Sequence, residues 1–271
     1  MEGHAVQCPW SRGVGHRPPA MMAAMRPRFM FVGDSMTIGS AGEHTWRYRM
    51  WQHLEASFGP GGYAVVGPRT ALYDHEAGAP VSTAYADPAF PAQARAHLAG
   101  WGEGWLHMAP VVGEAVAAGR ADVLLVSLGL IDLGFYTNSD QTARNVRAFV
   151  AAARAANPDV RAVLLPVIPN VRAEEEPPFA AECARFNGLL AAVAAELSTP
   201  RSPLVLADPP AGYDLRADTY DGTHPGPSGE HKLAAAFAGA LHRAWGWGGP
   251  YRPAHPRGAQ KCTRRLSGVT R

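Results

Sequence analysis

Apolar positions recur along this chain with two alternating periods. Arg28–Val32, RFMFV, is an apolar run of strand length that ends at Gly33. Over Thr45–Phe58 the spacing becomes that of a helix, with Trp46, Met50, Leu54 and Phe58 four residues apart. Gly59-Pro60-Gly61-Gly62 stops it. A second strand is predicted over Tyr63–Val66, a helix over Met108–Ala118 and a strand over Asp122–Leu128, DVLLVSL. Helix Thr142–Ala156, strand Arg161–Ile168, helix Pro178–Leu197 and strand Pro203–Ala207 follow. The last helix, Pro225–Trp245, aligns Leu233, Phe237, Leu241 and Trp245. Strands that alternate with helices predict an α/β fold whose parallel sheet is covered on both faces. No period holds from Gly67 to about Gly104, where Pro, Gly and aromatic residues crowd a long loop. Loops of that length are usually functional. Open parallel sheets bind ligands beyond the carboxyl ends of their strands, so site residues belong just after strands.

Composition bounds this picture. Of 271 residues, 47% are hydrophobic and 18% charged, enough to build a sizeable core. Residues 1–27 are aperiodic and rich in Gly, Pro and His, which predicts a disordered extension. Residues 28–248 form the predicted domain, and 249–271 a basic tail. The net charge of +2 divides unevenly: residues 1–28 carry +3, residues 251–271 carry +6, and the segment between them carries −7. The acidic body argues against a nucleic-acid partner. It also disfavours a strongly anionic substrate unless Arg47 or Arg172 lines the mouth of the site. Cys8, Cys183 and Cys262 have no metal-ligand spacing, so neither a metal centre nor a disulfide framework is expected. No apolar run approaches the roughly 20 residues of a membrane span. The N-terminus has no secretory apolar region, and a cytoplasmic protein is expected.

Two motifs carry chemistry. Gly33-Asp34-Ser35-Met36-Thr37 follows the first strand directly. A Ser at such a turn places its hydroxyl at the ligand edge, and its own N–H at a helix start can stabilise a developing oxyanion. Helix capping by Asp34, Ser35 or Thr37 is the competing explanation. Asp221-Gly222-Thr223-His224-Pro225 lies between the last strand and the last helix. An Asp three residues before a His can orient one ring nitrogen and leave the other facing a nucleophile. Each motif alone admits a structural role. Together they bring nucleophile, base and orienter to the same edge of one sheet.

With both motifs in order, the chain resembles the SGNH hydrolases, the GDSL esterase/lipase family, over roughly residues 28–245. The longer pattern GDSMT, TWRYRMW, LGLIDLG and YDGTHP followed by GE resembles the actinobacterial branch. The resemblance implies a flavodoxin-like three-layer α/β/α sandwich with a parallel five-stranded sheet, and a site that needs no cofactor. It also implies Ser35 as nucleophile, His224 as general base and then acid, and Asp221 as the residue that holds His224. The family's second block supplies an oxyanion Gly; Gly102 fits its spacing best, with Gly104 and Gly78 as alternatives. Ser35 N–H would be the companion donor.

The third block departs from the pattern. The family reads Gly-x-Asn-Asp, with the Asn donating to the oxyanion. Here Gly129-Leu130-Ile131-Asp132 puts Ile131 at that position. Loss of one such donor costs about 2.7–4 kcal/mol. Asn170, after the Arg161–Ile168 strand, is a conceivable replacement, as are Asn138 and Ser139, though turn roles suit all three. Asp34, Gly129, Ile131, Asp132 and Asn170 are the weaker substrate-binding candidates. Trp101, Trp105, Phe135 and Tyr136 are further candidates, whereas Trp46 suits core packing. The resulting expectation is a serine esterase that cleaves a small-molecule ester or acylated sugar through an acyl-enzyme. Two alternatives stand beside it: an acyltransferase of secondary metabolism that uses the same three residues, and a non-catalytic binder on a degenerate hydrolase scaffold.

Overall fold

Strand β1 (Arg28–Gly33) is buried along all but its first residue, as a two-faced apolar run requires. The computed structural model describes residues 26–253, so all but the last two residues of the predicted extension and most of the basic tail, with Cys8 and Cys262, lie outside the described residues. After β1 come α1 (Ser35–Ile38), α2 (Thr45–Phe58) and β2 (Ala64–Val65). The segment predicted as an irregular loop holds an antiparallel pair, β3 (Leu72–Asp74) and β4 (Ala79–Ser82), then β5 (Leu98–Ala99). Next are α3 (Trp105–Met108), α4 (Val112–Gly119), β6 (Val123–Ser127), a π-helical turn (Asp132–Tyr136) and α5 (Ser139–Ala156). The chain continues through β7 (Arg161–Leu165), α6 (Arg172–Glu175), α7 (Pro177–Leu197), β8 (Leu204–Leu206), α8 (Leu215–Asp218) and α9 (Pro227–Trp245).

The sheet runs β2-β1-β6-β7-β8, all parallel. The five expected strand positions are present, but the outer one is shared. β2 pairs with Arg28 and Phe29, and β5 pairs with Val32 and Gly33. The chain returning from the long loop thus satisfies backbone groups of β1 that β2 ends too early to reach. The order reverses direction at β1. Right-handed crossovers then put α2 on one face and α4, α5 and α7 on the other. Contacts agree: α2 packs against α9, while α4 and α7 both pack against α5. The core between these layers is built from Phe29, Phe31, Leu125, Val163, Phe186 and Phe237, all essentially inaccessible.

Two expectations change in detail. The helix predicted over Met108–Ala118 is two helices, interrupted at Pro110, whose ring nitrogen has no proton to donate to a helical bond. Trp46 is core, as its spacing suggested; it stacks on Phe237 at 4.6 Å. Among the described residues no helix is long and apolar enough to cross a membrane. Cys183 is a free, buried thiol in α7.

Candidate active site

β1 delivers Ser35 to the carboxyl edge of the sheet, next to the point where strand order reverses. Asp34 caps α1, and its carboxylate accepts the Met36 N–H at 3.0 Å. The capping role and the nucleophile position therefore coexist in adjacent residues.

His224 arrives on a braced loop. Thr219 and Pro225 bridge its ends, and the Tyr220 N–H donates to His224 O at 3.1 Å. Gly222 turns the loop with φ +82°, and a Cβ there would meet Val171 Cβ at 2.7 Å. Both features demand glycine. His224 Nε2 sits 2.9 Å from Ser35 Oγ, and its Nδ1 sits 2.6 Å from Asp221 Oδ2. The other Asp221 oxygen accepts the N–H of His224 at 2.7 Å and of Thr223 at 3.0 Å. Partial burial pushes the Asp221 carboxyl up, but these donors and the imidazole outweigh it and hold the group below the usual carboxylate range. Ionised Asp221 accepts the Nδ1 proton, which leaves the Nε2 lone pair for the Ser35 hydroxyl.

The dyad opens into a pocket of about 360 Å³. Leu130, Ile131, Phe135 and Phe179 give it apolar walls. Trp101 and Gly102 close one side, and Asn170, Arg172 and Thr223 supply its other polar groups. Gly102 has φ +72°, and neither its N–H nor that of Ser35 is donated to another group among the described residues. The π-helical turn pushes Phe135 and Tyr136 outward, and Phe135 is 77% exposed at the rim.

The structure sorts the remaining candidates into two groups. Ile131 and Asn170 line the pocket. Asn170 directs its Nδ2 to Thr223 Oγ1 at 3.1 Å, and its Oδ1 is buried without a partner. Asp34, Gly129 and Asp132 sit behind the pocket rather than against it. Asp132 accepts the N–H of Trp105 at 2.8 Å and of Leu106 at 3.0 Å, so its carboxylate caps α3. Gly104 belongs to the same cap, since a Cβ on it would lie 2.2 Å from Asp132 Oδ2. Burial raises the carboxyls of both acids, that of Asp34 to about 7, with the charge of Asp132 adding to the effect there. Asn138 caps α5 by accepting the Gln141 N–H, and Ser139 is buried with its N–H on Glu182. Gly78 lies at the tip of the β3–β4 hairpin. Arg172 lines the pocket, but Arg47 does not; it is fully buried.

Three contributors escaped the sequence reading: Phe179, Thr223 and Tyr220. Thr223 and Tyr220 flank the catalytic-type residues in the DGTH motif, which was the available signal. Phe179 reaches the pocket from the start of α7, and only the fold reveals it.

Comparison with known proteins gives a family and a shared fold. The model of the GDSL-like lipase/acylhydrolase family matches residues 31–232. Among solved structures, an acetyl esterase with bound acetate aligns with TM-score 0.65 at 22% identity, over 80% of this chain and 97% of the other. A family 3 carbohydrate esterase from Talaromyces cellulolyticus gives 0.65 at 23% identity, over 80% and 97%. An acetylxylan esterase from Geobacillus stearothermophilus gives 0.57 at 17% identity, over 80% and 95%. No curated protein sequence matches this chain.

Proposed function

The chain belongs to the GDSL-like lipase/acylhydrolase family, and on that premise we propose that it is a serine ester hydrolase working through an acyl-enzyme on Ser35. The observation that carries this reading is the continuous chain from Asp221 through His224 to Ser35, with contacts of 2.6 and 2.9 Å. His224 Nε2 takes the Ser35 proton as Oγ attacks the ester carbonyl. The N–H groups of Ser35 and Gly102 receive the negative charge on the carbonyl oxygen. His224 returns the proton to the departing alkoxide, and the acyl group stays on Ser35. Water, deprotonated by the same nitrogen, then releases the acid and restores the hydroxyl.

Ile131 takes the place of the family's third oxyanion donor in this reading, so two backbone donors carry the charge. The apolar pocket walls suit the carbon skeleton of a small ester, and its size leaves room for more than an acetyl group. An acylated sugar remains within the substrate class, because the similar structures include esterases named for acetyl and acetylxylan substrates.

The test is covalent labelling with a fluorophosphonate. The expected result is one label per wild-type chain and none on folded Ser35→Ala. A folded wild-type chain that takes no label would point to a binding protein on a hydrolase scaffold.

A further inference from the structure

Two aromatic rings lie nearly parallel to the His224 imidazole. Trp101 stands 4.7 Å away between centroids with planes 17° apart, and Tyr220 stands 5.7 Å away at 16°. Neither supplies a hydrogen bond to the imidazole, since Asp221 and Ser35 already engage both nitrogens. Both rings are themselves held. Tyr73 stacks on Trp101 at 4.5 Å, and His75 meets Trp101 edge-on at 4.9 Å. His75 Nε2 lies 3.0 Å from Ser40 Oγ, and that oxygen lies 3.4 Å from Tyr220 Oη. The contacts close a circuit from His224 through Trp101, His75, Ser40 and Tyr220 back to His224.

We infer that the two rings form a charge clamp, in which Trp101 and Tyr220 are positioning residues that favour the His224 imidazolium formed during proton transfer. The face of an aromatic ring carries excess negative charge and attracts a cation far more than a neutral ring. Neutral His224 gains little from it before reaction. The gain appears as the Ser35 proton moves to Nε2, so it lowers the barrier instead of tightening ground-state binding. Stacking also resists rotation of the imidazole out of line with Ser35. The Ser40–His75 pair has a role in this circuit that the reaction itself does not give it: it ties Tyr220 to the same support that holds Trp101. The inference rests on Ser35 as nucleophile, and the following experiment separates the two.

Tyr220 is 54% exposed and does not line the pocket, so its side chain can be truncated without opening the core or touching substrate. Fluorophosphonate inactivation of the full chain yields a maximal rate, an apparent affinity and a final label count. Tyr220→Leu is expected to lower the maximal rate about tenfold, the size of a partly desolvated cation–π contact. Affinity should stay within twofold, and labelling should still reach one per chain. Tyr220→Phe, which keeps the ring and loses the hydroxyl, should recover most of the rate. A misfolded variant would lower the label count instead. An unchanged rate in Tyr220→Leu overturns the clamp, as does a loss confined to affinity or a Phe variant as slow as Leu. A wild-type chain that takes no label removes the nucleophile, and the clamp falls with it.

Discussion

At the scale of single residues, the meeting of Ser35, His224 and Asp221 was legible because the chemistry proposed for them restricts residue type. A nucleophile with its own orienting base needs Ser, His and a carboxylate, and the parallel sheet fixes where they can meet. GDSMT and DGTHP satisfied both conditions before any fold was known. The link from the Ser40–His75 pair to Tyr220 was not legible, because Ser40 and Tyr220 are 180 residues apart and only the fold brings them together. Ile131 was legible as a departure, and its pocket position gives that departure a consequence. In the proposed mechanism its side chain adds apolar surface where a hydrogen-bond donor would serve the oxyanion. Ile131→Asn is therefore expected to raise kcat for p-nitrophenyl acetate about tenfold, less than the factor of roughly 10² to 10³ lost when such a donor is removed from a site built around it. Steady-state kinetics of the two proteins decide it. An equal or lower kcat in the variant would mean that the surrounding side chains have been shaped around the isoleucine.

Among the elements, long periodic ones were read well and short ones poorly. α2, α5, α7 and α9 each present several turns of apolar spacing, and β1, β6 and β7 are continuous apolar runs. The region from Gly67 to Gly104 failed because strands of two to four residues carry too few positions to show a period. α1 and α3 are likewise single turns, and each is defined by a buried carboxylate, Asp34 or Asp132, that accepts N–H groups at its start. Those caps give the elements a pH dependence. In the unfolded chain Asp34 titrates near the ordinary 3.8, whereas burial raises it to about 7 in the folded protein. Between those values the folded state binds the proton more tightly, so the contribution of Asp34 to stability falls as pH rises from about 4 to about 7 and is flat above. Asp34→Asn keeps an oxygen for the Met36 N–H but has nothing to ionise. Thermal melts should show wild-type Tm declining relative to the variant across that interval. Parallel Tm curves would show that Asp34 does not carry the effect.

At the scale of the whole molecule, two ties join the long loop to the sheet edge that carries Ser35. The loop has a small core of its own, in which Leu72, Tyr85, Phe90 and Ala94 pack against Tyr48 of α2. The second tie is Arg47, a residue whose charge suggested the mouth of the site and whose place is the interior. Its guanidinium donates to Thr37 O at 2.7 Å, Ile38 O at 3.0 Å, Arg95 O at 3.0 Å and Tyr85 Oη at 3.1 Å. No carboxylate pairs with it among the described residues. One side chain thus connects α2, the end of α1 beyond Ser35, and the loop that later carries Trp101 and Gly102. Arg47→Met preserves most of the aliphatic volume but leaves two buried backbone carbonyls, of Thr37 and Ile38, without their donors, each costing about 1–3 kcal/mol, and frees the part-buried Arg95 carbonyl. Urea unfolding should accordingly show a loss of at least about 2 kcal/mol. Exposed Arg147, paired with Glu196, is the control: Arg147→Met should leave the urea midpoint close to that of wild type, because solvent screens this pair. Limited proteolysis under native conditions should find new cleavage between residues 67 and 104 in Arg47→Met alone. Stability within about 1 kcal/mol of wild type would show that water or rearranged side chains replace the guanidinium, and that the apolar contacts on α2 hold the loop without it.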